Sequence, residues 1–202
     1  MKLYYVPGAC SLAPHIALRE AGLQFDLDKV DLSTRKTASG EDFLKANPKG
    51  YVPALRTKEG NVLTEASVLV QYVADQKPEA NLAPKMGTME RYQMMEWLNF
   101  IATELHKGFG PLWNPNAPAE TKEAAKANLF KRFDTLEAHF ANNDYLLGKQ
   151  FTVADAYLFT IMGWANYHKL DTSKWTRLGQ YLGRVGSRPK VQEALKAEGL
   201  MQ

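Results

Sequence analysis

A proline stands inside the most strand-like run of the N-terminal half, Val52-Pro53-Ala54-Leu55. Proline has no backbone N–H, so this run cannot be an ordinary central strand. A cis Val52-Pro53 bond costs only about 0.5–1 kcal/mol. It would bend the chain and leave the N–H and C=O of Val52 outside the ladder, open to an extended peptide. An edge strand with an ordinary proline is the other reading. A hairpin later, after the turn Lys58-Glu59-Gly60-Asn61 and a strand from Asn61 to Leu63, Thr64-Glu65-Ala66-Ser67 opens a helix with Leu69, Tyr72 and Val73 on one face. Free N–H groups at that helix start, with the Ser67 hydroxyl beside them, form a receptor for a carboxylate, and Glu65 could meet an ammonium group. A plain cap at Thr64 or Ser67 is the simpler alternative. The joint spacing favours a surface that reads the backbone and one amino-acid end of a short peptide.

Composition narrows the class. With 202 residues and 45% hydrophobic content the chain can bury real cores, so disorder is not expected. Its 25 basic and 22 acidic residues nearly balance, and no basic run alternates with aromatics, so nucleic acid is not indicated. No run approaches the roughly 18 apolar residues of a membrane span, and the apolar core after Met1-Lys2 is too short for a signal peptide. The single cysteine, Cys10, forbids an internal disulfide and agrees with a reducing compartment, so a cytoplasmic protein is expected. His15, His106, His139 and His168 share no ligand spacing, so no metal site is expected. There is also no phosphate loop and no Ser/His/Asp motif.

Read in order, Leu3 to Val6 is a strand, Pro7-Gly8-Ala9 a turn and Ser11 to Ala21 a helix stopped by Gly22. Gln24 to Val30 has strand character, Asp31 to Gly40 is a polar segment, and Glu41 to Ala46 makes one or two helical turns. With the hairpin and its following helix the order is β-α-β-α-β-β-α. That is a thioredoxin-like order, predicting a mixed four-stranded sheet covered on both faces. Pro78 to Pro84 reads as a linker, giving domains 1–80 and 81–202, the second entirely helical.

In that second half Thr88 to Lys107 is predicted as one long helix, with apolar coverage wide enough to meet the first domain and a second subunit. Asn99, Thr103, His106 and Lys107 share a stripe of it; a packed or solvated histidine is the plainer reading of His106. Gly108 to Pro115 is a loop rich in aromatics, and Ala119 to Ala141 is helix again. Thr152 and Asp155 have capping-box spacing before the apolar helix Val153 to Tyr167, with Phe151 as its staple. Losing Asp155 should cost on the order of 1–2 kcal/mol. Leu178 to Val185 and Pro189 to Leu195 complete the helices.

Cys10 is the one strong nucleophile candidate. It lies between strand end and helix start, where the helix dipole and N–H donors can lower a thiol pKa from its usual value near 8.5. The place of a second C-x-x-C cysteine is taken by Ala13, so a redox cycle would need an outside thiol. A small buried hydrophobe is the other reading of Cys10.

A thioredoxin-like half with Tyr5, Cys10, Val52-Pro53 and Glu65-Ala66-Ser67, joined to a helical half with Phe151-Thr152-Val153-Ala154-Asp155, resembles the cytosolic glutathione S-transferases. Cys10, Arg35 and the stretch from Asn99 to Lys107 make it similar to the bacterial beta class. The resemblance implies a cytoplasmic homodimer that conjugates reduced glutathione, a cosubstrate rather than a tightly bound cofactor, with hydrophobic electrophiles.

On that resemblance Val52, next to Pro53, pairs with the cysteinyl backbone of glutathione, with Ala9, Cys10 and Tyr51 alongside. Glu65, Ala66 and Ser67 would hold the γ-glutamyl end and Arg35 the glycyl carboxylate, where many members carry lysine. Asn99 and Glu104 would reach the γ-glutamyl group bound by the neighbouring subunit. Cys10, His106 and Tyr5 are the implied catalytic candidates, with Lys107 a further polar one. Phe109, Leu112, Trp113, Tyr157, Trp164 and His168 would form the electrophile pocket. Two alternatives stay open: a glutathione-dependent thiol-disulfide reductase or peroxidase acting through Cys10, and a non-catalytic carrier of glutathione and apolar ligands.

Overall fold

The computed structural model describes residues 1–201. Its N-terminal part runs β1 (Lys2–Tyr5), α1 (Leu12–Glu20), β2 (Asp26–Asp31), β3 (Lys36–Thr37), α2 (Phe43–Ala46), β4 (Ala54–Arg56), β5 (Val62–Thr64) and α3 (Ala66–Asp75). The sheet order is β3-β2-β1-β4-β5. β1 lies parallel to β2 and antiparallel to β4, which hairpins to β5. This is the thioredoxin-like order read from the sequence, with one correction: the sheet has five strands. Two residues of the polar segment, Lys36 and Thr37, pair with Asp31 and Val30 as an antiparallel edge. So short and polar a strand carries no period-2 signal.

The strand alternation divides two cores. Leu3, Tyr5 and Leu55 face α1 and α3, where they join the main core through Ile16, Leu18, Leu69 and Val73. Tyr4, Val30, Phe43, Val52 and Ala54 fill the opposite face under α2. Each fully buried aliphatic side chain contributes about 1.5–3 kcal/mol, so a one-residue register slip in β1 would expose both sets.

The helical part comprises α4 (Met89–Phe100), α5 (Gly110–Trp113), α6 (Ala119–His139), α7 (Val153–Tyr167), α8 (Thr176–Gly186) and α9 (Pro189–Ala197). Helix α7 is buried nearly all round and packs on α1, α3, α4 and α8, as its apolar sequence requires. The Thr152–Asp155 capping box is present, the Asp155 carboxylate accepting from the Thr152 N–H at 2.8 Å. The Pro78 to Pro84 segment makes a 3₁₀ turn at Pro78–Ala80 and is tied down where Val153 N–H donates to Leu82 C=O at 2.9 Å. Arg91 of α4, only 2% exposed, forks onto Asp75 of α3 at 2.8 and 2.9 Å and so binds the two helices together.

The predicted single helix from Thr88 to Lys107 is corrected. After Phe100 it widens into a π-helical segment, Ile101–His106, and then tightens to a 3₁₀ turn, Lys107–Phe109. A π turn closes its hydrogen bonds five residues apart instead of four, which rotates the side chains that follow. The aromatic loop from Gly108 is likewise partly helical, as α5. Among the described residues no helix is long and apolar enough to cross a membrane.

Candidate active site

The first wall is the segment between β1 and α1. Ser11 staples it: its hydroxyl accepts from Val6 N–H and donates to Val6 C=O, both at 3.1 Å. Gly8, at φ 71°, gives its N–H to Glu198 at 2.9 Å and its C=O to the Trp164 indole N–H at 2.9 Å. A side chain at Gly8 would carry the strain of that φ, though it would meet Leu200 only at ordinary contact distance. Glu198 in turn accepts from His15 Nδ1 at 2.8 Å, while His15 Nε2 accepts from Arg19. Ala9 and Cys10 are therefore held from both the sheet and the chain's C-terminal helices.

The Val52-Pro53 bond is cis, and the β4 ladder starts only at Ala54. Among the described residues the Val52 N–H has no partner, and its C=O accepts only the Cys10 thiol, Sγ to O 3.4 Å. Neither group is used by the protein's own sheet. Cys10 corrects an expectation: burial pushes its thiol up to about 12, against weaker help from backbone N–H groups and Lys107. The helix start does not win, because Cys10 precedes α1 by two residues and is only partly exposed.

Glu65 opens α3 at φ 72°, ψ 119° with its carboxylate outward. Lys49 Nζ and the Tyr51 hydroxyl donate to it at 3.0 and 3.3 Å, and Lys49 also reaches the Thr64 hydroxyl at 3.0 Å. Glu65 C=O takes the first helical bonds, from Val68 and Leu69 N–H at 3.0 and 2.9 Å. The N–H groups of Ala66 and Ser67 have no acceptor among the described residues. Arg35, at φ 58°, donates through Nη1 to Gly50 C=O, beside Tyr51.

On the helical side His106 turns inward. Its Nδ1 lies 2.7 Å from the Tyr157 hydroxyl and its ring stands edge-on to Trp164, centroids 4.9 Å apart. Burial pushes the His106 pKa down to about 4, Lys107 adding to the shift and Glu65 opposing it. The shared stripe predicted for Asn99, Thr103, His106 and Lys107 is undone by the π turn: the other three are exposed while His106 faces α7. Glu104 is engaged by Arg132 of its own chain, Nε to Oε2 2.7 Å. Tyr5 is corrected too. It packs in the main core, its ring centroid 6.4 Å from that of His15, with burial raising its pKa, and it does not line the cavity between the two walls.

Between the two walls lies a cavity of about 760 Å³ that takes in Ala9, Cys10, Tyr51, Val52, Trp113 and Trp164. Of the six expected pocket residues, Trp113 and Trp164 line it. Phe109 and Tyr157 are buried behind them, Leu112 does not reach it, and His168 stacks on Phe109, 6.0 Å between centroids. Tyr167 lines it instead, stacked on Trp113 at 4.9 Å. Another cavity of about 820 Å³, between the start of α4 and the segment 146–152, is lined mainly by polar side chains and holds none of this surface. Sequence reasoning missed Ser11, Lys49 and Glu198; only Lys49, inside the Asn47-to-Leu55 stretch, stood near a recognised signal.

This constellation agrees with what comparison finds. Residues 8–76 match the family model for the glutathione S-transferase N-terminal domain, and residues 100–189 that for the C-terminal domain. The glutathione S-transferase GstA of Escherichia coli O157:H7 is 46% identical over 200 residues, covering 99% of this chain and 100% of the relative. A sphingomonad glutathione S-transferase complexed with glutathione superposes with a TM-score of 0.96 at 47% identity, over 100% of both chains. A bacterial beta class glutathione S-transferase of Sphingomonas chungbukensis gives 0.96 at 49%, again over 100% of both. With two family domains matched in order and a relative aligned along its whole length, the chain belongs to the glutathione S-transferase family, among its bacterial beta class members.

Proposed function

We propose that the protein conjugates reduced glutathione to hydrophobic electrophiles. The observation that carries this reading is the pair of Val52 backbone groups outside the ladder, set between the open start of α3 and an aromatic cavity. Glutathione, which a sphingomonad relative binds, would lie extended with its cysteinyl backbone on Val52, beside Pro53. Its γ-glutamyl carboxylate would meet the N–H groups of Ala66 and Ser67 and the Ser67 hydroxyl, and its ammonium would meet Glu65. Arg35, near Tyr51, would serve the glycyl carboxylate. Electrophiles would enter against Trp113, Trp164 and Tyr167.

This pose sets the sulfur near Cys10. With burial raising its pKa, the Cys10 thiol is protonated at neutral pH and can act as a hydrogen-bond donor. Cys10 would turn its S–H from Val52 C=O to the glutathione thiolate as the ligand's N–H takes over that carbonyl. With His106 as a second donor and Lys107 as a nearby charge, a two-unit fall in the glutathione pKa, about 2.7 kcal/mol, is within reach. The raised Cys10 pKa speaks against the reductase reading. We further place the domain boundary at 80/81 in the Pro78 to Pro84 linker. A homodimer would cover the exposed Val68, Met89, Tyr92 and Met95 of α3 and α4, with Asn99 nearby; light scattering reads the mass.

The test is steady-state conjugation of glutathione to a chloronitrobenzene-type substrate by reduced protein. Turnover is expected, and its absence with several electrophiles despite tight glutathione binding would favour the carrier alternative. Iodoacetamide should label Cys10 at least roughly tenfold more slowly than it labels an ordinary thiol. Fast labelling, with disulfide reduction lost in Cys10→Ala, would restore the reductase.

A further inference from the structure

We infer that Tyr157 is the positioning residue that holds the His106 imidazole in the tautomer with its proton on Nε2, leaving that nitrogen as a donor toward the glutathione sulfur. The inference rests on the transferase reading above and adds to it a residue whose hydroxyl touches no substrate.

The 2.7 Å contact between the Tyr157 hydroxyl and His106 Nδ1 can run in either direction, since each partner can donate or accept. Burial decides. Tyr157 is 2% exposed, and among the described residues its hydroxyl has no partner but His106. Were Nδ1 to donate, the phenolic proton would be left buried without an acceptor, a loss larger than the worth of the bond itself. The O–H therefore donates and Nδ1 accepts. Burial raises the Tyr157 pKa and lowers that of His106, so both partners are neutral near pH 7 and the tautomer is defined.

A neutral imidazole accepting at Nδ1 carries its proton on Nε2. Among the described residues that atom has no partner and is not a buried unsatisfied one, so it is open to solvent. Its surroundings are those of the proposed ligand. His106 does not itself line the cavity, but its ring stands edge-on to Trp164, which walls the cavity together with Cys10. The π turn matters here, since it brings His106 round to Tyr157 and away from the exposed stripe of Asn99 and Lys107.

The test pairs a spectrum with kinetics. In long-range ¹H–¹⁵N spectra of the full-length protein, assigned through His106→Asn, His106 should show a protonated Nε2 near pH 7. Tyr157→Phe, which removes only the hydroxyl, should mix the two tautomers. Its kcat for conjugation should fall roughly five- to tenfold, the equivalent of one neutral hydrogen bond, with KM for glutathione within about twofold. A wild-type spectrum with the proton on Nδ1 overturns the inference without any variant. So does Tyr157→Phe with an unchanged tautomer, or with a mixed tautomer and unchanged kcat. Absence of all turnover alongside an Nε2-protonated spectrum would strike the transferase reading and the positioning role, and leave the tautomer assignment standing.

Discussion

The starts of α7 and α3 are both helix openings preceded by a turn, and they treat their free N–H groups in opposite ways. At α7 the Asp155 carboxylate reaches back to Thr152 N–H and the Thr152 hydroxyl, and also accepts from Leu146 N–H at 2.9 Å and the Tyr181 hydroxyl at 3.1 Å. It is fully buried. At α3 the residue in the capping place, Glu65, sits at positive φ, turns its carboxylate out to Lys49 and Tyr51, and leaves Ala66 and Ser67 N–H without acceptors among the described residues. A start closed by its own side chains adds stability to the folded chain. One left open keeps its donors for an anion and gives up that contribution.

The sharpest way to break this contrast is Asp155→Ala. Four donors lose one buried acceptor together, so the folded state should lose about 3 kcal/mol or more, above the cost of a lone cap. The denaturant midpoint checks it, and a loss below 1 kcal/mol would mean the closed start is not what steadies α7. Next in size is Glu65→Gln at the open start. Glutathione affinity by calorimetry should drop roughly ten- to hundredfold, one charge-assisted hydrogen bond, while the denaturant midpoint stays near wild type. A drop in stability with affinity intact would reverse the roles of the two starts.

Acid titration separates them further. Burial raises Asp155 to about 6 from 3.8, so folding binds a proton there in that window, and its contribution is present below 3.8 and lost as pH rises through 6. His106, packed against α7, is lowered by burial from 6.5 to about 4. Its contribution is present above 6.5 and lost as pH falls toward 4. The opposed slopes partly cancel in the wild type. In His106→Asn, stability should therefore decline with rising pH between 4 and 6, and in Asp155→Asn it should climb over the same range. Parallel profiles for the two variants would refute the assignment. The smallest expected effect is Ser67→Ala, with roughly two- to fivefold weaker glutathione binding, one neutral hydrogen bond, and an unchanged melting temperature.

What could be read from the chain alone was local. Pro53 within an apolar run announced a bend, Thr152-x-x-Asp155 announced a cap, and the β-type run Leu3 to Val6 announced a strand, since each signal is complete within a few residues. The ends of elements and the short edge strand Lys36–Thr37 were not legible, because two polar residues have no period. The continuous helix expected from Thr88 to Lys107 shows the same limit. Amphipathic spacing cannot tell an α turn from a π turn when packing against α7 decides between them.

By itself the sequence determined the class of fold, the two layers around β1, the capping box and the bend at Val52-Pro53. Only the tertiary structure decided the chemistry of the side chains around it. Glu198 and Trp164 hold Gly8 from 190 and 156 residues away, Arg132 claims Glu104, and Tyr157 meets His106 across 51 residues. Burial then reverses the expectation for Cys10, because the cost of placing a charge among apolar neighbours depends on which distant segments close over it.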